Sequence, residues 1–339
     1  MVFAGEFWAG ASERGLAEGF RDLGWVVHEV DRRSHGLRMG RSLPARAAAR
    51  ATRRVADDLY RTQVLDACSA LKPDVFMTIK GMAVDAGLLR EIKRTGARAA
   101  MFYPDYHFDY PGVFPESFGE YDLFVTTKRF QLAHLSGQLG AGCVAYVPHG
   151  FSDRVHRPLY AAPGEGAFEV DVGHAGNYSP YKHGWIDALA RAVPEASLRV
   201  VGHRWAGALN PAASPRLSVL DGRFGARYVA AIQSARINLS VHMGPHDNGW
   251  QDLVSTRTFE IPACKGFMLH IDNEEVREFF TPGVEIDVFS THDELADKVR
   301  FYLARPELRN EMIERAYTRC VPAYSYAARA AEIDRLLAA

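Results

Sequence analysis

Cysteine is scarce in this chain, with four in 339 residues. Cys68, Cys143, Cys264 and Cys320 form no C-x-x-C pair, which removes the usual zinc and dithiol motifs. All four lie in apolar or helical contexts and read as reduced, buried thiols of a cytoplasmic protein. An excess of either charge is lacking too. The formal net charge is -1, so there is no basic surplus to suggest nucleic acid and no acidic tail. No apolar run approaches the roughly 18 residues that cross a bilayer. The opening M-V-F-A-G-E-F-W-A-G has no basic stretch before a long apolar core, and is not read as a secretory signal.

Several catalytic signatures are also missing. Without G-x-S-x-G there is no support for a serine hydrolase. Neither half carries G-x-G-x-x-G with a downstream acid, which argues against a dehydrogenase. The turn after the first strand is glycine-rich, but Ala11 stands where a P-loop needs lysine,. His242, His246 and Asp247 invite a metal reading. Gly244 and Pro245 forbid the regular helix that would align the two histidines, and no third ligand is evident,. No metal is expected.

What is present is an alternation of strands and helices. Extended stretches at 2–4, 25–30, 74–79, 97–103, 121–126 and 143–147 alternate with helical ones. The first helix has Leu16, Phe20 and Leu23 at helical spacing and stops at Gly24; others cover 44–72, 84–95 and 128–138,. This alternation predicts a parallel, doubly wound sheet. Pro148-His149-Gly150-Phe151 and the Pro/Gly-containing stretch to Gly166 form the best linker candidate,. A second series follows, with strands at 170–174, 197–201, 237–241 and 267–271 and an extended stretch at 284–289. Its helices lie near 226–234, 274–280, 292–304, 306–319 and 324–337. Eight arginines crowd 32–54: Arg32, Arg33, Arg38, Arg41, Arg46, Arg50, Arg53 and Arg54. A solvated helix face is the favoured reading, and a peripheral anionic membrane surface or acidic acceptor the minority one.

The most informative stretch is G-W-Q-D-L-V-S-T-R-T-F-E-I-P-A-C-K-G-F at 249–267. Ser255 and Thr256 are good N-cap residues, and Lys265-Gly266 is a C-cap candidate ahead of the next strand. A helix N-terminus suits an anion such as a diphosphate, Arg257 adds a fork of donors, and Glu260 can accept from a ribose diol. An ordinary surface helix with an i, i+3 Arg–Glu pair explains the same residues. The stretch resembles the R-x-F-E-x-x-A-x-G-x-F motif of CgeB-like, spore-maturation type glycosyltransferases. These belong to the GT-B group, whose C-terminal domains resemble those of families 1 and 4. The likeness covers mainly 170–330, including Y-x-x-A-I-x-S-A-x-I-N-L-S at 228–240 and E-F-F-T-P-G-x-E-I at 278–286.

The resemblance implies an α/β protein of GT-B architecture, two doubly wound Rossmann-like domains facing a cleft. The domains would be 1–150 on the acceptor side, a linker at 151–169, and 170–322 on the donor side. A C-terminal helix at 323–339 would pack back on the first domain. Asp252 and Glu260 fall on the E-x7-E positions of retaining enzymes, with Asp in place of the first Glu, so retention is slightly favoured. The implied donor-binding set is Gly176, Asn177, Tyr178, Lys182, Arg204, Arg257, Thr258 and Glu260. Asp105 and His107 sit in a polar, aromatic loop after a strand and are general-base candidates beside Asp252, although a hydrogen-bonded loop is the plainer reading. The sequence has no D-x-D metal motif, so Arg257 and Lys182 would supply the charge a metal supplies elsewhere. The co-substrate would be a UDP- or GDP-type sugar with no further cofactor, and the partner a hydroxyl acceptor. A GT-B-shaped nucleotide-sugar epimerase and a non-catalytic sugar- or nucleotide-binding subunit remain the alternatives.

Overall fold

The computed structural model describes residues 1–36, 43–160, 168–209 and 216–338. The chain divides into two compact units, one of Met1–Pro148 with Ala327–Ala339 and one of His149–Tyr326.

The first unit runs β1 (Val2–Gly5), α1 (Ser12–Asp22), β2 (His28–Asp31), α2 (Leu43–Ala51), α3 (Arg53–Leu71), β3 (Val75–Ile79) and α4 (Ala86–Arg94). It continues with β4 (Arg98–Tyr103), β5 (Leu123–Thr126), α5 (Leu132–Leu139) and β6 (Val144–Tyr146). The strands form one parallel sheet in the order β2-β1-β3-β4-β5-β6. β1, β3 and β5 are buried at every position, as a parallel sheet covered on both faces requires. Tyr60, Val64 and Cys68 make the buried stripe of α3 at four-residue spacing,. The C-terminal helix α12 (Tyr326–Ala338) belongs to this unit from Ala327 onward. Asp334 accepts a hydrogen bond from the Trp25 indole at 2.8 Å, and the Leu337 carbonyl accepts one from Arg98 at 2.5 Å.

Three expectations change here. β2 begins at His28 rather than at residue 25, because Trp25 is held by α12 and by an edge contact to Phe20, while Val26 is 86% exposed. The long helix expected at 44–72 is two helices that meet at Thr52. Cys143 is only half-buried, unlike the other three thiols. In the arginine-rich segment, Arg38 and Arg41 lie outside the described residues, as does the side chain of Arg46. Arg32 is held by Glu6 and Asp57, and Arg33 by Asp31.

The second unit runs β7 (Val170–Ala175), α6 (Pro180–Ala192), β8 (Leu198–Val201), β9 (Leu217–Leu220), α7 (Ala226–Gln233), β10 (Ala235–Ser240) and α8 (Thr256–Ala263). Then come β11 (Met268–Ile271), α9 (Glu274–Phe279), β12 (Asp287–Phe289), α10 (His292–Leu303) and α11 (Pro306–Cys320). Its parallel sheet has the order β12-β11-β10-β7-β8-β9. Counted from β7, that is the doubly wound order in which the chain reverses between its first and fourth strands. β7 and β10 therefore flank the switch point, where such sheets bind ligands at the strands' C-terminal ends,. β9 is absent from the sequence reading; it is a four-residue edge strand with only Leu217 buried. Of the linker candidate, residues 161–167 lie outside the described residues.

α8 shows how local sequence and packing divide the work. Ser255 is its N-cap, and Thr258 Oγ1 accepts from the Ser255 N–H at 3.3 Å. At the other end, Gly266 N–H donates to Ile261 C=O at 2.9 Å and Lys265 N–H to Pro262 C=O at 3.0 Å. That is the double bond pattern of a Schellman cap. The left-handed residue is Lys265, at φ 56, not Gly266. Gly266 serves packing instead, since a Cβ there would lie 2.6 Å from Ile232 Cγ2.

Candidate functional site

The switch point of the second sheet gathers the charged groups. β7 brings His174 to its C-terminal end, 2% exposed, with Nδ1 2.8 Å from the Leu239 carbonyl. A carbonyl only accepts, so Nδ1 carries the proton and Nε2 presents a lone pair. Burial first, then Arg257 and Lys182, hold this imidazole well below its usual pKa, so it is neutral. Nε2 is buried with no hydrogen-bond partner among the described residues.

The chain then turns at Gly176. A Cβ there would lie 2.7 Å from Arg257 Nη1 and 3.1 Å from His174 Nε2, so glycine lets the guanidinium and imidazole approach the backbone. Gly176 C=O accepts from the Trp205 indole at 2.7 Å, and its N–H donates to Val201 C=O at 2.8 Å. A Cβ on Gly202 would lie 2.1 Å from that Gly176 oxygen. Asn177 is exposed, yet its side chain accepts from His203 N–H at 3.1 Å and its carbonyl from Lys182 Nζ at 3.0 Å. Tyr178 sets its ring edge-on to Trp205 at 5.2 Å. The 176–178 turn is thus fixed against the 202–205 loop by two hydrogen bonds and one ring contact, to Trp205 and His203.

Lys182 rides on α6, whose N-cap Ser179 accepts the Lys182 N–H at 3.3 Å. The residue as a whole is 3% exposed. Burial, then the Arg257 charge, bring its pKa down to about 7, with Asp252 opposing them. Arg257 comes from the first turn of α8. Nη2 donates to Val241 C=O at 3.0 Å, and Nε is buried without a partner among the described residues. Arg257 and Lys182 thus lie near one another and near the neutral His174, and the carboxylate of Asp252, 9% exposed, acts on Lys182 and sets Oδ2 4.0 Å from His242 Nδ1. Such a cluster is suited to an anion.

Beneath it lies a buried imidazole pair. His270 Nδ1 is 2.6 Å from the Ile271 carbonyl and must donate to it, so Nε2 accepts. His242 Nε2, at 2.8 Å, and Thr258 Oγ1, at 3.0 Å, both aim at that nitrogen. Burial brings His270 down to a pKa of about 4. Thr258, expected to touch the donor, is fully buried and turned to His270, so it supports the site from below. Arg204 stands apart from these groups. It stands exposed at φ 65 on the 202–205 loop, and no hydrogen bond or ion pair among the described residues joins it to the cluster.

Glu260 lies one turn beyond Arg257, 7% exposed. Its Oε2 accepts from the Tyr228 hydroxyl at 2.6 Å, and Oε1 faces His156 Nε2 at 3.7 Å. In the first unit, Asp105 pairs with Lys80 at 2.6 Å. His107 stacks on Tyr110 at 4.2 Å, and its Nδ1 accepts the Asp109 N–H at 3.2 Å. Both sit beyond β4, at the C-terminal edge of their sheet.

Residues 182–335 match the family model described as "Glycosyl transferase-like". No curated protein matches the chain in sequence. Among solved structures, a glycosyltransferase from Rickettsia africae ESF-5 superposes with a TM-score of 0.68 at 13% identity, over 99% of this chain and 97% of that one. HepE from Anabaena, crystallised with UDP and glucose, gives 0.65 at 14% identity over 100% and 99%. Sucrose-phosphate synthase from Thermosynechococcus elongatus gives 0.66 at 14% over 99% and 98%. The chain has the GT-B fold. The matched segment lies in the second unit from Lys182 to Tyr326, and its last residues, 327–335, belong to the first.

Four residues around these groups carried no signal in the sequence: His174, His270, His156 and Tyr228. His174 ends an apolar strand, and only Leu239 across the sheet gives it a role. His242 was visible, but it turns inward to His270 rather than toward His246, whose Nδ1 lies 3.3 Å from Asn248 Oδ1 on an exposed turn. Tyr228 and His156 stand 32 and 104 positions from Glu260 in the chain, too far for a local pattern to link them.

Proposed function

We propose that this chain is a cytoplasmic, CgeB-like glycosyltransferase. It moves a sugar from a UDP- or GDP-type nucleotide sugar to a hydroxyl-bearing acceptor. The observation that carries the reading is the convergence of Arg257 and Lys182 on the turn at Gly176 and Asn177, with the Asp252 carboxylate acting on Lys182. In this reading the diphosphate lies against those two cations, which stabilise it as it departs and take the place of a metal. Gly176, Asn177 and Tyr178 shape the turn beside it. Glu260 takes the ribose diol on the lone pairs that Tyr228 leaves. Asp252 lies beside the sugar, and retention is favoured by its spacing from Glu260. Asp105 or His107 on the first unit serves the acceptor hydroxyl as general base. The HepE complexes with UDP and glucose and with UDP-glucose support a UDP-type sugar.

A panel of nucleotide sugars, with and without EDTA, tests this. The expected result is nucleotide release by slow donor hydrolysis at an unchanged rate in chelator. Interconversion of donor sugars would make the protein an epimerase, and binding without turnover a non-catalytic subunit. Activity lost in EDTA and restored by Mn²⁺ or Mg²⁺ would overturn the charge-replacement step.

A further inference from the structure

We propose that Tyr228 and His156 are positioning residues that hold the Glu260 carboxylate in one orientation for the ribose diol. The inference deepens the reading above and rests on its assignment of Glu260. Glu260 is a side chain of α8, Tyr228 of α7, and His156 of the segment before β7. Three separate pieces of chain therefore meet on one carboxylate.

Each oxygen has its own neighbour. The Tyr228 hydroxyl donates to Oε2 at 2.6 Å, in the range of a strong, charge-assisted bond. His156 accepts the Ser152 N–H on Nδ1 at 3.1 Å, so its ring proton is on Nε2, which faces Oε1 at 3.7 Å,. The two rings brace each other edge to face at 5.6 Å. His156 is 3% exposed, and its segment is tied further by Ser152, whose carbonyl accepts the His156 N–H at 2.6 Å.

A free carboxylate on a helix surface rotates among several χ angles, and binding a diol would have to stop that rotation. Here the phenol fixes Oε2 by a hydrogen bond, while the imidazole N–H, at 3.7 Å, adds only the attraction of its dipole for Oε1,. A carboxylate has about four lone-pair directions, and the phenol uses one. Oε1 keeps both of its own, pointed where the remaining exposure of Glu260 allows. Tyr228 also orients Glu260 away from Arg257, three residues earlier on the same helix face, so the acid does not neutralise the cation proposed for the diphosphate. Held apart in this way, the two residues can serve different parts of one nucleotide.

The test compares UDP with UDP lacking both ribose hydroxyls, by titration calorimetry. Wild type is expected to prefer UDP by about tenfold or more, the scale of one hydrogen bond to a charged group. Tyr228→Phe keeps the ring and its packing but removes the donor. It should narrow that preference several-fold while leaving the affinity for the dideoxy ligand unchanged. His156→Leu should narrow it in the same way, and His156→Gln, which retains a donor there, should restore part of it. The His156 pair also serves if Tyr228→Phe does not fold. A ratio that stays at the wild-type value in folded Tyr228→Phe and His156→Leu overturns the inference, as does an equal loss for both ligands, which would mark a structural role alone. A wild type that binds both ligands equally removes Glu260 from the ribose, and so fails the underlying assignment instead.

Discussion

Lys182 is a buried ammonium whose charge is set by its surroundings. With its pKa at about 7 in the free protein, it is charged below that pH and neutral above it. A bound diphosphate favours the charged form and raises the value. Below about 7 Lys182 carries its proton in both states, and binding does not depend on this group. Above 7 binding must draw in a proton, so UDP affinity should fall with rising pH, by up to about tenfold per unit. Calorimetry at pH 6 and 8.5, in buffers of different ionisation enthalpy, measures both the slope and the proton. Lys182→Met should flatten the slope and weaken binding. The unliganded protein behaves in the opposite sense. The unfolded lysine titrates near its ordinary 10.5, so between about 7 and 10.5 the unfolded state holds more protons, and stability from this group rises with pH. Arg257 donates from Nη2 to Val241 C=O at 3.0 Å and, at the longer distance of 3.5 Å, to His242 Nδ1, and its charge opposes that of Lys182. Arg257→Gln should therefore change the melting temperature of the free protein little, while the shift produced by UDP and the turnover are lost. Arg257→Lys should recover only part, because the fork is gone. A normal UDP-induced shift in Arg257→Gln would remove the residue from the phosphate.

Among the elements, three glycines hold the site together for three different reasons. Gly202 faces the Gly176 carbonyl, and any Cβ collides with backbone at 2.1 Å. Gly202→Ala should cost about 1–3 kcal/mol or more, with both the 176–178 and 202–205 loops released. Gly266→Ala meets Ile232 Cγ2 at 2.6 Å and Asn238 Nδ2 at 2.9 Å, and should cost about 1–3 kcal/mol by forcing α8 off α7 and β10. Gly176→Ala meets the end of the Arg257 side chain at 2.7 Å and, less closely, His174 Nε2 at 3.1 Å, and no backbone. That chain can swing, so the fold should survive and UDP affinity should fall. Urea melts and calorimetry on the three variants separate the cases. An unchanged UDP affinity in Gly176→Ala would contradict the placement of Arg257. The N-cap at Ser255 was legible because it follows a local rule. The role of Gly266 was not, since its glycine answers to Ile232 on another helix rather than to φ at its own position.

At the scale of the whole molecule, α12 is the C-terminal element yet from Ala327 onward completes the first unit. Ile333 is fully buried, and Ile333→Ala should cost about 2–5 kcal/mol. Hydrogen exchange should quicken in β1–β6 and stay unchanged in β7–β12; the reverse distribution would contradict the division of the chain. The sequence by itself determined the βα alternation, the doubly wound class and the position of α8, because strand periodicity, helix spacing and capping are written within a few neighbouring residues. It also pointed to Arg257, Lys182, Asp252 and Glu260 by residue type and spacing. It left out β9, a four-residue edge strand with one buried side chain, too short for a period to register. It counted Thr258 with the donor contacts, although that side chain is buried and turned to His270, because spacing along the chain does not tell which way a side chain turns. Only the tertiary structure decided that His174 is a neutral acceptor beside Arg257, that Lys182 is buried enough to lose its proton near neutrality, and that Tyr228 and His156 close on Glu260. Each of those is a contact between elements far apart in sequence. Burial and the neighbours it brings, not residue identity, set the charge and direction of such groups.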